Sequence, residues 1–595
     1  MESSENILEY YFDKIQNDLY TNDVNNEIVN LSLDEILKKY NFKHPIEYNE
    51  YSILSEELKD DLEMSFENNI INILLKKNKT DKKYNKNLLI DKWSSYYSLN
   101  SEYIKDNQKL LLNYSSNKND MNNFINDYIS FKSEKNFLCK YQYIQFKKLN
   151  FLNTIILFLQ LLALYNICTP LFTLLAPLFG LIIPYFIFYM KGIRLSFNDY
   201  ISLVKKIIFN KYIIKGLLNV HKNTLQNNLY LLTSIFFYSL SIYNNVCSCI
   251  QFYKNTNFII NFINNYDSFI KSGKKLIDNL HSQTEKLKSF GEFNRDMLSY
   301  KDKLTKIEDS LNVIMNDSSK YVKYGKIGYL LRHNFEIFFN KEYNDAIMYL
   351  IYLNNYSDDL DMLSYHINKK NLNKCKITNK KNKKPYMKNM YYLPHIEDNP
   401  IKNDISLKDN LLITGPNASG KTTLIKSVLI NLFLSQSIGF GCYSKCTTII
   451  YDYFHSYLNI PDTSNRDSLF QAEARRCKDI IEFIKNNKAK KHLCIFDEIY
   501  SGTNPNDAIL CAKLYLKGMN IYKKNVDYVL TTHYIELCES FEKCDNVKNK
   551  KMSIINKNKE IIYLYKIIDG ISKINGGYQI LEKLEYPKYL LDMNV

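Results

Sequence analysis

The chain has 595 residues, too many for one hydrophobic core at roughly 100–200 residues per domain, and Lys plus Arg (78) exceed Asp plus Glu (63), a formal net charge of +15. Hydrophobic residues at 46% and charged residues at 24% exclude a wholly disordered or collagen-like chain. Sixteen glycines and eleven prolines are too few for an all-β fold with many tight turns, so long helices are expected. The positive excess permits nucleic acid or anionic lipid as partner without choosing between them.

Residues 1–135 read as a polar, helical region. Ile7, Tyr10, Tyr11 and Ile15, and then Ile70 to Leu75, recur at helical spacing, and the lysines between Lys76 and Lys83 read as a solvated loop. Met1-Glu-Ser-Ser-Glu-Asn has neither the basic start nor the apolar stretch of a signal peptide. Residues 136–195 form the second region. From Phe151 to Met190 forty residues carry no charge, enough for two spans of about 20 residues, with a break at Tyr165–Pro170. Lys147 and Lys148 before the block, and Lys191 and Arg194 after it, fit a transmembrane helical hairpin with both ends on the cytosolic side. Pro170, Pro177 and Pro184, seven residues apart, fall near one face of its second helix. A pair of helices buried in a soluble domain is the alternative.

Residues 196–368 return to long helical patterns, a lever-like core and connector. Leu229–Ile242 is an apolar run too short to span a membrane comfortably and is expected to pack in a core. Asp267–Asn316, rich in Lys, Glu and Leu, reads as an exposed helix pair. Residues 369–595 form the last domain, opened by a lysine run, Lys369–Lys388, that reads as a linker or exposed hairpin. The twelve cysteines are scattered without paired Cys-x-x-Cys units, so free thiols in a reducing compartment are expected.

Three motifs in the last domain carry chemistry. Gly415-Pro416-Asn417-Ala418-Ser419-Gly420-Lys421-Thr422-Thr423 follows the apolar strand Leu411–Thr414 and precedes a helical run, the strand–loop–helix setting of a phosphate-binding loop. Its backbone N–H groups and the helix start favour phosphate, Lys421 can reach the β- and γ-phosphates, and Thr422 can ligate Mg²⁺. The strand His492–Phe496 then ends in Asp497 and Glu498, one carboxylate to hold magnesium and the other to polarise an attacking water. A third strand, Tyr528–Thr532, runs into His533, which fits a sensor of the γ-phosphate.

Taken together, these blocks resemble the ATPase domain of the MutS family of DNA mismatch-repair proteins, an ABC-type fold. Ser468-Leu-Phe-Gln-Ala-Glu473 is similar to the family's signature segment, Asp497-Glu-Ile-Tyr-Ser-Gly-Thr503 and Thr532-His-Tyr-Ile-Glu-Leu537 to its later motifs, and Tyr352–Leu363 to its connector helix. The fold expected is therefore multidomain: a mostly helical N-terminal two-thirds with a transmembrane hairpin, then a C-terminal α/β phosphate-loop ATPase domain. The resemblance implies ATP and Mg²⁺ as cofactors, hydrolysis in a composite dimer where Ser468 completes the partner's site, and DNA as partner. Departures exist: Leu469 stands where threonine is usual, and residues 1–150 hold no Phe-x-Glu wedge of the kind that reads mismatches. Three readings follow: a DNA-handling ATPase of repair or recombination type, a membrane-anchored ATPase without mismatch recognition, and a non-hydrolysing scaffold disfavoured by the intact Asp497, Glu498 and His533. The expected location is intracellular, membrane-associated through 151–190 with the ATPase domain in the cytosol; a soluble cytoplasmic or nuclear protein is the alternative.

Overall fold

A computed structural model describes residues 40–573 and Tyr586, apart from 66–68, 76–87, 116–120, 194–195, 197, 204–224, 316–324, 379–383, 459–468 and 558–559. The expectations placed on Ile7 to Ile15, the 76–83 loop and Ser468 lie outside the described residues. The longer helices, in chain order, are α1 (Ser101–Asn113), α2 (Asn122–Lys132), α3 (Ile156–Met190), α4 (Leu225–Thr284), α5 (Gly291–Met315), α6 (Ile327–Phe339), α7 (Lys341–Asn368), α8 (Lys421–Ser437), α9 (Leu469–Asn486), α10 (Pro505–Ile521) and α11 (Ile535–Ser540). Contacts divide the chain into two units, one of Met1–Tyr40, Asn119–Lys275 and Tyr300–Tyr349, the other of Asn41–Lys118, Leu276–Ser299 and Leu350–Val595.

The first unit, as described, is helical. Its core is an aromatic cluster: Phe131 stacks on Phe262 of α4 at 4.4 Å and Phe137 on Phe338 of α6 at 3.9 Å. Lys132 is buried there and donates to the Phe338 carbonyl at 2.5 Å, a cation placed at the negative C-terminal end of α6. Burial still lowers its pKa, to about 7.

This unit corrects two expectations. The hairpin turn expected at Tyr165–Pro170 is absent: Ile156–Met190 is one continuous helix with Pro170, Pro177 and Pro184 inside it. Proline at position i removes only the bond to the carbonyl at i−4, and the remaining ladder carries the helix through. Within it, Ile156–Pro177 is the stretch, among the described residues, long and apolar enough to cross a membrane. Leu229–Ile242, expected in a core, instead lies on α4 with Leu229, Leu232, Ile235, Phe236 and Phe237 exposed.

In the second unit the strands are β1 (Tyr51–Ile53), β2 (Tyr96–Ser98), β3 (Asn373–Ile377), β4 (Tyr386–Met390), β5 (Asn403–Ser406), β6 (Asn410–Thr414), β7 (Phe440–Gly441), β8 (Lys445–Thr448), β9 (Tyr453–Tyr457), β10 (His492–Asp497), β11 (Val526–Thr532), β12 (Val547–Lys557) and β13 (Glu560–Asp569). A six-stranded sheet runs β13-β12-β6-β11-β10-β9, parallel except for β13. Its central strands are buried along their whole length, as parallel strands covered on both faces must be. Leu412, Phe496 and Leu530 share one cluster with Tyr515, Met519 and Leu537.

The second sheet runs β5-β4-β8-β3-β7. Its β3 and β4 come from the lysine run read as a linker or exposed hairpin. They do not pair with each other, since β8 lies between them. Lys374 and Lys376 point out while Cys375 points in, and on β4 Met387 is buried between exposed Tyr386 and Lys388, with a register irregularity before Met390 that returns that residue to the core. Residues 41–118 pack onto the same unit: the Gln108 amide donates to the Cys375 and Gly439 carbonyls at 2.8 and 2.7 Å, and Tyr97 donates to the Asp452 carbonyl at 2.9 Å.

Candidate functional site

The three motifs meet at the C-terminal ends of adjacent parallel strands. Thr532 of β11 is in register with Thr414 of β6, and Asp497 of β10 with Thr531, so the loop after β6, the acidic pair after β10 and His533 after β11 emerge side by side. This edge is where open α/β sheets place ligands.

The loop Gly415–Thr423 passes from β6 into α8. Ala418 and Gly420 take positive φ of 61° and 88°, turning the chain so that α8 begins at Lys421 with its N-terminus toward the loop. Gly420 suits this conformation because it lacks the Cβ that penalises it. Asn417 and Ala418 are exposed at the tip, whereas Gly415, Pro416 and Ser419 are buried. The Ser419 hydroxyl is buried without a hydrogen-bond partner among the described residues, a donor and acceptor left open inside the cradle. An N-terminal helix end, an unsatisfied hydroxyl and a lysine together fit an anionic, phosphate-bearing group.

Lys421 is almost fully buried. Its Nζ donates to the Gly415 and Pro416 carbonyls at 2.9 and 3.3 Å and lies 3.2 Å from Glu498 Oε1. Glu498 Oε2 is in turn 3.7 Å from His533 Nδ1. Beside His533 first and the Lys421 ammonium next, the Glu498 carboxyl falls to about 2 despite partial burial, so it is ionised throughout the neutral range. Thr422 Oγ1 donates to Asp497 Oδ2 at 2.7 Å, and Thr531 hydrogen-bonds the other Asp497 oxygen. A hydroxyl and a carboxylate held together suit Mg²⁺, which usually takes one or two carboxylates with water and substrate phosphate. Among the described residues no group of three or more His, Cys, Asp or Glu side chains forms a cage of its own.

The structure gives a role to motif residues that the sequence had left without one. Glu473 on α9 is buried and accepts from Ser501 N (3.1 Å), Ser501 Oγ (2.8 Å) and Gly502 N (3.1 Å), tying α9 to the turn after Glu498. Gly502 approaches so closely that a Cβ there would sit 2.7 Å from Leu469 Cγ and 2.9 Å from Phe470 N. The glutamate of the signature segment and the glycine after the acidic pair are thus two halves of one joint. Beyond the loop, a cavity of about 680 Å³ reaches from Lys421, Asp497 and Glu498 to Tyr392, His395, Ile401 and Tyr565. The sequence signal for this wall was weak: Tyr392, His395 and Ile401 lie upstream of the domain's first motif and Tyr565 far downstream, with no spacing rule to join them. Thr423 lines the cavity too. Ser468 lies outside the described residues, next to Leu469 at the start of α9.

Residues 411–594 match the family model for MutS domain V. Among curated proteins the chain is 28% identical over 198 residues to the DNA mismatch repair protein MutS of Bacillus cereus (strain B4264), covering 32% of this chain and 21% of that protein. It is 28% identical over 204 residues to the protein of the same name from Bacillus mycoides (strain KBAB4), covering 34% of this chain and 22% of that one. The match therefore spans about a fifth of the length of these relatives.

Proposed function

We propose that the second unit, whose residues 411–594 match the family model for MutS domain V, binds and hydrolyses ATP with Mg²⁺, and that the cycle of binding and hydrolysis works on DNA. The observation that carries this reading is the convergence of Lys421 with Glu498 and of Thr422 with Asp497 beneath one loop. The loop amides and Ser419 would bind the phosphates. Lys421, turned from Glu498 toward the β- and γ-phosphates, would orient them. Mg²⁺, held by Thr422 and through water by Asp497, would neutralise phosphate charge. Glu498, released from Lys421, would accept a hydrogen bond from the attacking water and fix its line of approach, with His533 holding the carboxylate in place. The apolar wall of Tyr392 and Ile401 would take the base.

Two further parts of the reading rest on the family alone. The active unit is a homodimer in which Ser468 reaches the partner's nucleotide; light scattering with ATP present checks it, a monomer of full activity being the contrary result. DNA binding is salt-sensitive and indifferent to a single mismatch, because lysine–phosphate contacts carry no sequence information. The deciding experiment measures Mg²⁺-dependent phosphate release by the full chain, with and without duplex DNA, for wild type and Glu498→Gln. The variant should retain ATP binding and lose on the order of a hundredfold or more in turnover, as removal of one positioned base typically costs 10²–10⁴. Equal turnover in both proteins removes Glu498 from the mechanism; turnover unchanged by DNA removes the DNA coupling.

A further inference from the structure

The exposed apolar surface of the first unit calls for an occupant. Helix α3 is anchored at its start: Leu159 and Ala163 are fully buried, and Gln160 accepts from Gly328 N of α6 at 2.8 Å. From Leu164 onward its apolar side chains turn outward, among them Leu171, Leu174, Ile183, Phe186 and Met190. The N-terminal part of α4 lies alongside it. Cys249 donates to the Ile167 carbonyl, Asn245 to Thr173 Oγ1 at 2.6 Å, and Tyr238 to the Thr173 and Leu174 carbonyls at 3.2 and 3.1 Å. Residue numbers fall on one helix as they rise on the other, so the pair is antiparallel.

One of these bonds has a specific cause. Pro177 has no N–H, so the carbonyl four residues earlier, that of Thr173, loses its helical partner. Tyr238 from α4 replaces it. Re-satisfying a proline-freed carbonyl from a neighbouring helix, with polar groups bonded between the helices and apolar ones outside, is how helices are mated where water is absent.

We propose that α3 from about Leu164 and α4 up to Tyr253 form a two-helix hairpin inserted in a lipid bilayer. Three observations favour lipid over a second protein. Apolar residues ring α3: at 3.6 residues per turn its exposed ones cover roughly three quarters of the circumference and leave open only the side toward α4. A docking protein covers one face; a bilayer covers all of them. Both segments lack charge, α3 throughout and α4 until Lys254, and each is about 40 Å long at 1.5 Å per residue, long enough to reach across a hydrocarbon core of about 30 Å; Ile156–Pro177 is apolar enough to span by itself, and α4 would enter as its hydrogen-bonded partner. The ends carry headgroup-matching residues: exposed Tyr165 and Tyr253 with Lys254 toward one end, Tyr189 with Lys191 at the other. The hairpin thus joins Ile156–Met190 to the run that sequence alone placed in a core. The inference is independent of the nucleotide reading, and no nucleotide assay bears on it.

The test uses the full chain, first without substitution and then with Phe237→Arg. Purified protein is mixed with vesicles of phosphatidylcholine and phosphatidylglycerol, washed with alkaline carbonate, floated, and treated with a membrane-impermeant maleimide; labelled cysteines are read by mass spectrometry. Cys247 on the hairpin and Cys139 outside it are both exposed in the chain itself. The protein should float after the wash, with Cys247 labelled at least about tenfold more slowly than Cys139, and Phe237→Arg should reduce flotation. Equal labelling of the two thiols in the floated fraction overturns the proposal. So does a protein that stays behind in the wash, and so does a lipid-free, detergent-free dimer in which Cys247 is already protected, which would give the surface to a second copy of the chain.

Discussion

Glu498, Lys421 and Glu473 act at the scale of single side chains, each through a different effect. Glu498 sits at φ +49°, a backbone conformation that costs a non-glycine residue energy and that its surroundings must hold. Glu473 supplies part of that hold three and four residues on, by accepting from Ser501 and Gly502. Glu473→Gln keeps the shape but exchanges one acceptor oxygen for a donor facing N–H groups, which should cost about 1–3 kcal/mol of stability. It should also slow the proposed hydrolysis with little change in nucleotide affinity, because it moves the turn after Glu498 and leaves the phosphate cradle alone. Titrating a fluorescent nucleotide beside a turnover assay separates the two; a loss of affinity equal to the loss of turnover contradicts the positioning role. Lys421→Ala should do the opposite and weaken binding itself. The loop and the acidic pair were legible in the sequence because their chemistry is local, a few residues at fixed spacing. The place of Glu473, Tyr392 and Tyr565 at the site was not legible, since each reaches it from a distant segment and only the fold brings it there.

At the scale of elements, the second unit depends on a segment outside the family match. The region 41–118 docks α1 and β2 against α8, β3 and β9 through buried polar contacts. Gln108 bonds two carbonyls, Asn107 donates to the Ile438 carbonyl at 3.0 Å, and Ser456 donates to Asp61 at 2.5 Å. Gln108→Ala deletes the donor and strands buried acceptors, so the expected cost is about 1–3 kcal/mol. The denaturant midpoint of the full chain, followed by a probe in the second unit, should fall accordingly, and an unchanged midpoint would mean that the segment's docking is not held by this contact. Alternation, not composition, decided β3 and β4. Their lysines suggested a solvated linker, but one buried residue between two exposed ones is the pattern of a strand with one face on a core and the other in water.

Across the whole molecule, buried histidines make stability depend on pH. His44 and His455 are both lowered to about 3, chiefly by burial, with Lys92 adding to the first and His492 and Arg476 to the second; His333 is lowered to about 4, again chiefly by burial. An unfolded histidine titrates near 6.5, so below that value the unfolded chain binds protons that the folded chain refuses. Their stabilisation is complete above about pH 6.5 and drains away as the pH falls toward 4 and 3. Glu498, also depressed, contributes above about pH 4.5 and is lost only as the pH drops toward 2, so the first acid weakening belongs to the histidines. Unfolding midpoints should therefore decline between pH 7 and pH 5, and His455→Gln should flatten that decline. A midpoint independent of pH over this range would contradict it.

What the sequence determined by itself was whatever short-range pattern dictates: the strand–loop–helix around Lys421, the acidic pair after an apolar strand, the helical character of the first two-thirds, and an apolar stretch free of charge. Tertiary structure decided the rest. It made Ile156–Met190 one helix where three prolines and a polar break had implied two, because a helix loses only single bonds at proline and Tyr238 restores one of the freed carbonyls. It put Leu229, Leu232, Ile235, Phe236 and Phe237 on the surface beside that helix, and made the described residues of 41–118 part of the second unit. Hydrophobicity along the chain reports that a side chain will leave water. Whether it leaves into its own core, into a neighbouring segment or into another medium depends on which surfaces the fold brings together, and that information is not local.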